Sequence, residues 1–331
     1  MPRPDVVLCA PVRTAIGTFN GALKATPAPQ PGAAVVRAVL ARSGLAGADI
    51  GTVVMGNVIQ AGTKMNPARQ AAIGGGVPVE VPAMTVNRVC GSGAQAIVSA
   101  AQEVMLGSID SVIAGGVERS QARFAAAQAA GKFDAEIEPI ELPGRKGPTR
   151  FAQDEHNRPS TTLESLAVLK PVFRKDGTIT AGNSPGLNSG AAAMVVAEAD
   201  WAARHGLRPM ARLVSYGIGA VEPGFFGLGP VPAVRQALER AGWRVGDVDR
   251  FEINEAFAAI VLAVIRDLGL AEDVVNVEGG AIAHGHPIGA TGAVLTTRLL
   301  HAMERDGVRR GVVTLCIGGG QGIALALERL A

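Results

Sequence analysis

The stretch Arg37–Gly44 (RAVLARSG) has a counterpart in the second half of the chain, Arg235–Gly242 (RQALERAG). At the same separation, Asp49–Met55 (DIGTVVM) corresponds to Asp247–Ile253 (DVDRFEI). In both copies, a helical pattern of apolar residues ends at a glycine and leads into a run typical of a buried strand. Because helix, glycine and strand recur in the same order and spacing, we infer that one structural unit is used twice.

A second pattern is shared by the two halves: a Gly-rich turn, a helix, and a strand that ends in consecutive glycines. In the first half, Cys90–Gly93 opens the helix and the strand ends at Gly115 and Gly116. In the second half, His286–Gly292 opens the helix and the strand ends at Gly318–Gly320. Alternating strands and helices with short Gly turns predict two similar α/β halves, each with a mainly parallel sheet.

The stretch between the halves has a different composition. Residues 119–185 are rich in proline and charge, which indicates a surface excursion, and residues 119–132 have the pattern of an Ala-rich helix. We therefore predict an N-terminal half over residues 1–118, completed by about 186–209, and a C-terminal half over 210–331. Residues 119–185 are predicted to form a loop subdomain that packs over the site made by the two halves.

The composition excludes several classes of protein. With 331 residues, of which 48% are apolar and 18% charged, the chain is too apolar to stay disordered and large enough for two layered cores. Its net charge is +2 and no segment carries a basic block, so we expect neither nucleic acid nor an anionic lipid surface as a partner. The longest apolar run, Phe257–Ile265, is nine residues long, against about 20 for a membrane helix.

The start of the sequence bears on the location of the protein, and the spacing of the cysteines bears on the kind of site they can form. The N-terminal residues lead directly into an apolar strand pattern without a secretory signal, so we expect a cytoplasmic protein. The three cysteines, Cys9, Cys90 and Cys316, lie far apart in the sequence. We therefore expect neither a disulfide framework nor a zinc cluster, and no other metal site, and each cysteine needs an explanation as a thiol.

Cys90 is the candidate nucleophile. It lies in a Gly-rich turn between a strand and a helix, which is where α/β proteins hold ligands. We expect the positive end of the helix and its unpaired N–H groups to favour a thiolate over a thiol. The alternative is a small buried hydrophobe, and the glycines at 91 and 93 favour the nucleophile.

A nucleophilic cysteine needs a base, and a later proton transfer needs an acid. His286, in the matching turn of the second half, and Cys316, on the strand before Gly318, could supply both. Their alternative roles are a capping histidine and a core cysteine. The role of His284 stays open because it lies two residues from His286. Structural roles are expected for the remaining candidates, which are His156, His205, His301 and Cys9.

Polar residues also follow the middle strand of the second half. Asn254 and Glu255 interrupt a run that otherwise looks buried. One of them could cap a helix, or the Asn254 amide could hold a water or a carbonyl oxygen. The residues alone leave both roles open.

Taken together, these motifs resemble the thiolase family of acetyl-CoA acetyltransferases and 3-ketoacyl-CoA thiolases, and the resemblance covers nearly the whole chain. Four stretches carry it in the family's order: Val86–Gly93 (VNRVCGSG), Asn254–Ala258 (NEAFA), Gly279–Gly292 (GGAIAHGHPIGATG) and Leu315–Gly320 (LCIGGG). The resemblance implies duplicated α/β halves in a layered α-β-α-β-α arrangement, with a shortened loop subdomain. It implies an acyltransferase whose partners are acyl-CoA and CoA and which needs no cofactor.

The resemblance also implies roles in a ping-pong acyl transfer. Cys90 would be acylated by a CoA thioester or a 3-ketoacyl-CoA, and Cys316 would move the proton of the second substrate. His286 would activate Cys90 and stabilise the thioester oxygen of the second substrate, beside a water held by Asn254. The backbone N–H groups of Cys90 and Gly318 would stabilise the other oxyanion, where a side chain at the glycine would block the approach.

The chain also departs from the family pattern. After Glu118 it lacks a long segment that carries the oligomerisation loop and part of the substrate lid, so we expect a homodimer and not a tetramer. Pro185 stands where a pantetheine-contacting serine is usual, and Phe226 replaces a methionine near the thioester. Carried over by position, the expected CoA and substrate contacts are Arg158, Ser165, Leu169, Phe173, Ala181, Phe226 and Phe257.

Two other functions are compatible with such a fold. One is a non-catalytic or weakly active CoA-binding scaffold. The other is a decarboxylating ketoacyl synthase, which is disfavoured because those enzymes pair their cysteine with two histidines, or with a histidine and an asparagine. Here a second cysteine, Cys316, occupies the strand end.

Overall fold

The repeated stretches fold as the sequence predicts. The computed structural model describes residues 4–18, 21–120, 130–144, 147–155 and 161–330. Helix α1 (Pro29–Ser43) and helix α6 (Pro230–Ala241) are the two copies of the repeated helix. They end at Gly44 and Gly242, whose φ angles of 74° and 68° are in the left-handed region that favours glycine.

The remaining elements follow in chain order. The strands are β1 (Val6–Thr14), β2 (Thr52–Gly56), β3 (Ala83–Val86), β4 (Ser111–Ser120), β5 (Ile137–Glu138), β6 (Ile140–Leu142), β7 (Thr149–Phe151), β8 (Asn188–Glu198), β9 (Pro209–Ala220), β10 (Arg250–Ile253), β11 (Arg310–Ile317) and β12 (Gln321–Arg329). The other helices are α2 (Pro67–Gly75), α3 (Ser92–Met105), α4 (Leu163–Ala167), α5 (Ala199–Arg204), α7 (Ala258–Leu268), α8 (Ala281–His284) and α9 (Thr291–Asp306).

Within the described residues, ten strands form one sheet in the order β10-β11-β12-β9-β1-β8-β4-β2-β3, with β5 beside β1. The expectation of mainly parallel halves is wrong. Parallel pairing joins β2 to β3 and β4, and β10 to β11, but β8, β1, β12 and β9 pair antiparallel with their main neighbours. Each half is therefore mixed, with its parallel part at the outer edge and its antiparallel part toward the junction of the halves.

Three apolar cores produce the layered arrangement. Helices α1 and α2 cover the outer side of the first half, and α6 and α7 cover the outer side of the second. Helices α3 and α9 lie between the two halves and share the largest core. This order of layers is the α-β-α-β-α arrangement expected for the chain.

The central helices lie very close together at their N-terminal ends. A Cβ atom added to Gly292 would lie 2.3 Å from the backbone nitrogen of Ala94, and one added to Gly93 would lie 2.8 Å from that of Ala293. Only glycine permits this approach. As a result, the turn before α3, which carries Cys90, and the turn before α9, which carries His286, meet between the halves.

The described part of residues 119–185 shares a small apolar core with Ala15 and Leu23, which follow β1. Phe133, Ile137 and Phe151 belong to this core, and the buried Arg13 of β1 forms ion pairs with Glu136 and Asp154. The predicted Ala-rich helix starts too early, because residues 119 and 120 continue strand β4. Residues 121–129 of that prediction lie outside the described part of the chain.

Candidate active site

A cavity of about 510 Å³ opens where the two central helices begin. Cys90, His286 and Gly318 all line it. The three residues come from the turns before α3 and α9 and from the turn between β11 and β12. The structure therefore brings together the three Gly-rich turns that the sequence singles out.

The turn that carries Cys90 is strained and braced. Val89 has a φ of 44°, which is unusual for a β-branched residue and costs on the order of 1–3 kcal/mol. The hydroxyl of Ser92 accepts a hydrogen bond from the Arg88 N–H at 2.8 Å and donates one to the Val89 carbonyl at 2.7 Å. These bonds hold the turn in a conformation that places Cys90 at the cavity wall, and the sequence did not suggest the strain.

The Cys90 thiol is not the low-pKa thiolate expected from its position at the helix start. Burial raises the pKa of Cys90, and the backbone N–H groups of Gly318 and Cys90 lower it by less. Desolvation of the charged form outweighs these two hydrogen bonds. The sulfur nevertheless lies against the two N–H groups that the resemblance implies for an oxyanion.

His286 is held by Asn188 of β8 and Thr291 of α9. Its backbone N–H donates to Asn188 Oδ1 at 2.6 Å, and its Nδ1 lies 2.7 Å from Thr291 Oγ1. Because the Thr291 hydroxyl donates to the Pro287 carbonyl at 2.9 Å, its oxygen accepts from His286 Nδ1–H. This network leaves Nε2 with its lone pair, and burial lowers the pKa of His286 to about 4. The ring is a neutral base at neutral pH.

Asn254 faces this base. Its Nδ2 lies 3.4 Å from His286 Nε2, and its Oδ1 is buried without a hydrogen-bond partner among the described residues. Helix α7 takes Phe257 as its N-cap, with no side-chain cap. Neither Asn254 nor Glu255 caps α7, but Glu255 Oε2 accepts from the Ile282 N–H in the first turn of α8 at 2.8 Å, so the capping alternative holds for Glu255 at that helix.

Cys316 lies at the end of β11, fully buried behind the cavity. Burial raises its pKa, and a thiolate at Cys90 would raise it further, while the Ala256 N–H lowers it. Cys90 therefore lies close enough to influence the ionisation of Cys316. At Gly318 an added Cβ would meet only Val89, at 3.7 Å, so the protein itself does not require a glycine there.

The expected CoA contacts divide into three groups. Phe173, Ala181, Phe226 and Phe257 line the cavity, as does Pro185. Ser165 and Leu169 are not among the lining residues, and the Ser165 hydroxyl instead caps α4 with Thr162. Arg158 lies outside the described residues. Lining residues that the sequence reading missed are Val172, Ser184, Gly186, Leu187, Ala256 and Ile288.

The remaining candidates have structural surroundings. His205 stacks on Trp201, and His301 Nε2 lies 3.1 Å from the Pro11 carbonyl. Cys9 is buried in the outer core of the first half. His284 is buried behind His286, and burial lowers its pKa, as do the charges of Arg298 and Arg13. His156 lies outside the described residues.

Metal sites and membrane-spanning helices can be assessed for the described ranges. No group of three or more His, Cys, Asp or Glu side chains is placed to hold a metal ion there. No helix in those ranges has the length and apolarity needed to cross a membrane.

Family models agree with this architecture. The model described as thiolase, N-terminal domain, matches residues 6–120 and 119–200, and the model described as thiolase, C-terminal domain, matches residues 207–329. The two pieces of the N-terminal match meet at residues 119–120, directly after Glu118. The segment missing from this chain therefore belongs at that point.

Relatives and solved structures extend over the whole chain. The acetyl-CoA acetyltransferase of Cupriavidus necator is 43% identical over 390 aligned positions, covering 98% of this chain and 99% of the relative. Since the alignment is longer than the 331-residue chain, the relative carries residues that this chain lacks. The beta-ketothiolase BktB of the same organism is 44% identical over 98% of this chain and 99% of its own.

Two solved structures have the same fold. The acetyl-CoA acetyltransferase of Bacillus anthracis superposes with a TM-score of 0.95 at 37% identity, and human mitochondrial 3-ketoacyl-CoA thiolase with 0.94 at 35%, each over 99% of both chains. Family models, relatives and structures agree on the family and the fold. The chain belongs to the thiolase family.

Proposed function

We propose that this protein is an acyl-CoA:acetyl-CoA C-acyltransferase that works through an acyl-Cys90 intermediate. The observation that carries the proposal is the shared cavity of Cys90, His286 and Gly318, with the Cys316 thiol buried behind it. A nucleophile, a neutral base and two N–H donors around one opening are the parts that thioester chemistry needs.

In the first half-reaction, Cys90 attacks the thioester carbonyl of an acyl-CoA. Because burial raises the pKa of Cys90, its proton must move as the bond forms, and the His286 Nε2 lone pair accepts it. The carbonyl oxygen becomes an oxyanion, which the N–H groups of Cys90 and Gly318 stabilise. The carbon–sulfur bond to CoA then breaks, and the imidazolium of His286 returns the proton to the departing CoA thiolate.

In the second half-reaction, Cys316 acts on the second acetyl-CoA. Acylation leaves Cys90 without an ionisable thiol, so no negative charge at Cys90 opposes the ionisation of Cys316 in the intermediate. Cys316 passes its proton to His286 Nε2 and then takes a proton from the methyl carbon, and that carbon attacks the acyl carbonyl while Cys90 leaves as a thiolate. The protonated Nε2 and a water on Asn254 donate to the enolate oxygen, and His286 finally returns its proton to the Cys90 thiolate. Thiolysis is the reverse sequence.

A thiolysis assay tests the proposal. Purified protein is mixed with acetoacetyl-CoA and free CoA, and loss of the substrate's enolate absorbance is followed. Turnover that depends on both substrates supports the acyltransferase. Binding of CoA thioesters without turnover would instead support the scaffold alternative, which the assembled site does not favour. Release of carbon dioxide from a malonyl thioester would support a decarboxylating synthase.

The first prediction concerns Pro185 at the cavity wall. Proline has no hydroxyl and no N–H, so a serine there can form a hydrogen bond to the pantetheine that proline cannot form. Such a bond contributes about 0.5–1.5 kcal/mol, so Pro185→Ser is expected to bind acetyl-CoA about 2- to 12-fold more tightly. Calorimetry in a Cys90→Ala background measures the Kd without turnover.

A matched control distinguishes the contact from a general effect of replacing a proline. Pro143→Ser changes an exposed proline that does not line the cavity, and it is expected to leave the Kd unchanged. Unchanged or weaker binding by Pro185→Ser would show that Pro185 does not replace a lost contact.

The second prediction concerns assembly. We propose a homodimer, because the segment that ties dimers into tetramers in the family is missing at residues 119–120. Light scattering on the purified protein is expected to give twice the 33.8 kDa mass of the chain. A stable tetramer would show that assembly uses another surface.

Acyl-CoA, acetyl-CoA and CoA are the proposed substrates, and the proposed chemistry needs no cofactor. The thioester itself makes the α-proton acidic and supplies the leaving group. A cytoplasmic location stays a prediction from the sequence.

A further inference from the structure

Two side chains outside the cavity connect the segment after β10, which carries Asn254, with the turn that carries His286. The Asn276 side chain donates to Glu255 Oε1 at 3.0 Å, and Glu255 Oε2 accepts from the Ile282 N–H at 2.8 Å. We call this pair of residues the Glu255–Asn276 clamp. The proposed mechanism uses neither residue.

Asn276 fixes the last residue of β10. Its Oδ1 accepts from the Ile253 N–H at 2.7 Å, and its Nδ2 donates to the Ile253 carbonyl at 2.9 Å. The backbone N–H of Asn276 also donates to the Phe251 carbonyl at 2.9 Å, so Asn276 lies beside β10 and bonds to it through its backbone as well. A φ of 46° lets its side chain turn back onto the strand. The N–H and the carbonyl of Ile253, the residue before Asn254, are therefore both hydrogen-bonded to the Asn276 side chain.

Glu255 connects this segment to the turn that carries His286, on the other wall of the site. Its carboxylate lies on Gly280, where an added Cβ would be 2.1 Å from the carboxyl carbon. The N–H that it accepts belongs to Ile282, in the first turn of α8, four residues before His286. Burial raises the pKa of Glu255, whereas the Ile282 N–H and the Asn276 amide lower it. Both carboxylate oxygens are occupied by donors from different segments.

His286 is otherwise fixed to elements other than β10. Asn188 holds its backbone and Thr291 its Nδ1. The direct contact between Asn254 Nδ2 and His286 Nε2 is long, at 3.4 Å, and is too weak to set the spacing of the two walls.

We propose that Glu255 and Asn276 are positioning residues that set the distance between the Asn254 amide and the His286 base. The inference rests on the proposed function, in which His286 accepts the Cys90 proton and Asn254 supports the enolate oxygen. The clamp touches neither substrate nor reacting atoms, so it acts through those two residues.

Glu255→Gln tests the clamp with little change of shape. A carboxamide has one acceptor oxygen, so it can accept from Ile282 or from Asn276, but its NH₂ group then faces another donor. We expect kcat for thiolysis to fall by about 10- to 100-fold, because small displacements of catalytic groups are costly. KM for acetoacetyl-CoA and for CoA is expected to stay the same, since the clamp does not line the cavity.

A second readout does not depend on thiolase turnover. Iodoacetamide alkylates a cysteine in proportion to its thiolate, and peptide mass spectrometry resolves Cys90 from Cys9 and Cys316. With His286 displaced, alkylation of Cys90 near neutral pH is expected to slow by a factor similar to the fall in kcat. At high pH, where hydroxide replaces the base, the two proteins are expected to react alike.

A rescue variant and a control complete the design. Asn276→Asp alone places a carboxylate against Glu255 and is expected to be worse than Glu255→Gln. In the double variant with Glu255→Gln, the new amide at 255 can donate to the new carboxylate at 276, so one hydrogen bond forms with donor and acceptor exchanged. The double variant is therefore expected to be faster than Asn276→Asp. Glu272→Gln changes an exposed glutamate four residues before Asn276 and is expected to match the wild type.

The outcomes are distinguishable. Wild-type kcat and wild-type Cys90 alkylation in Glu255→Gln, with only a lower Tm, would assign the clamp a purely structural role and overturn the proposal. If Glu255→Gln does not fold, Asn276→Ser, which removes the Oε1 contact from the other side, is judged by the same two readouts. If the wild type fails to thiolyse, the proposed function is wrong, and Cys90 alkylation still decides whether the clamp positions His286.

Discussion

Replacing Cys90 with alanine is expected to lower kcat for acyl transfer by on the order of 10⁶-fold, the loss typical of removing the nucleophile from a covalent mechanism. The change deletes a single sulfur atom from a half-buried residue, and the turn is held by Ser92 and not by the thiol. The fold is therefore expected to survive, and the Tm to stay close to the wild-type value. Steady-state thiolysis of acetoacetyl-CoA gives the rate.

Cys9 provides the control for this substitution. It is buried on β1, away from the cavity, and burial raises its pKa to about 12. Cys9→Ala is expected to keep the wild-type rate even if it lowers the Tm. The labelled adduct formed with acetyl-CoA is expected on Cys90 in the wild type and in Cys9→Ala. An adduct on Cys316 with Cys90 unmodified would reassign the nucleophile.

Local motifs singled out the residues that line the candidate site because each motif combines a reactive side chain with the turn that presents it. Cys90 and His286 each precede a helix of the same repeated unit, so the duplication alone implied that the two turns are equivalent. What the sequence did not show is how closely the helices approach. That depends on Gly93 and Gly292 facing each other across the two halves, a pairing of residues far apart in the chain.

The error in strand direction has a visible cause. The Gly318–Gly320 turn separates two apolar runs by three residues, which is the signal of a hairpin and therefore of antiparallel strands. In the first half the equivalent partners, β4 and β8, are separated by the loop subdomain, so the hairpin signal is interrupted there. The expectation of mainly parallel sheets followed the alternation of strands and helices and gave too little weight to this turn.

The ionisation of Cys90 could not be predicted from the residues that surround it in the sequence. The N–H groups of Gly318 and Cys90 lower the pKa of Cys90, but burial raises it by more. Burial is a property of the assembled halves and cannot be assigned from residues near Cys90. The same holds for the Glu255–Asn276 contact, which joins segments on either side of α7.

Replacing Cys316 with serine is expected to allow the first half-reaction and to block the second. Serine keeps the shape of the side chain, but its hydroxyl ionises far less readily than a thiol, so it cannot take the proton from the second acetyl-CoA. The loss of one general acid–base group corresponds to about 10²- to 10⁴-fold in kcat. Acetyl-CoA alone is therefore expected to release a burst of free CoA of one equivalent per site, and acyl-Cys90 is expected to accumulate in the mass spectrum.

The burst separates this role from simple damage to the core. Cys316 is buried among apolar side chains, so a serine there also lowers the free energy of unfolding, and Cys9→Ser imposes a similar change in another core. If damage to the core were the cause, Cys316→Ser would lose acylation together with turnover, and Cys9→Ser would show the same loss. Acylation that proceeds while turnover stops can arise only if Cys316 acts after Cys90. Wild-type turnover in Cys316→Ser would return this thiol to the role of a core residue.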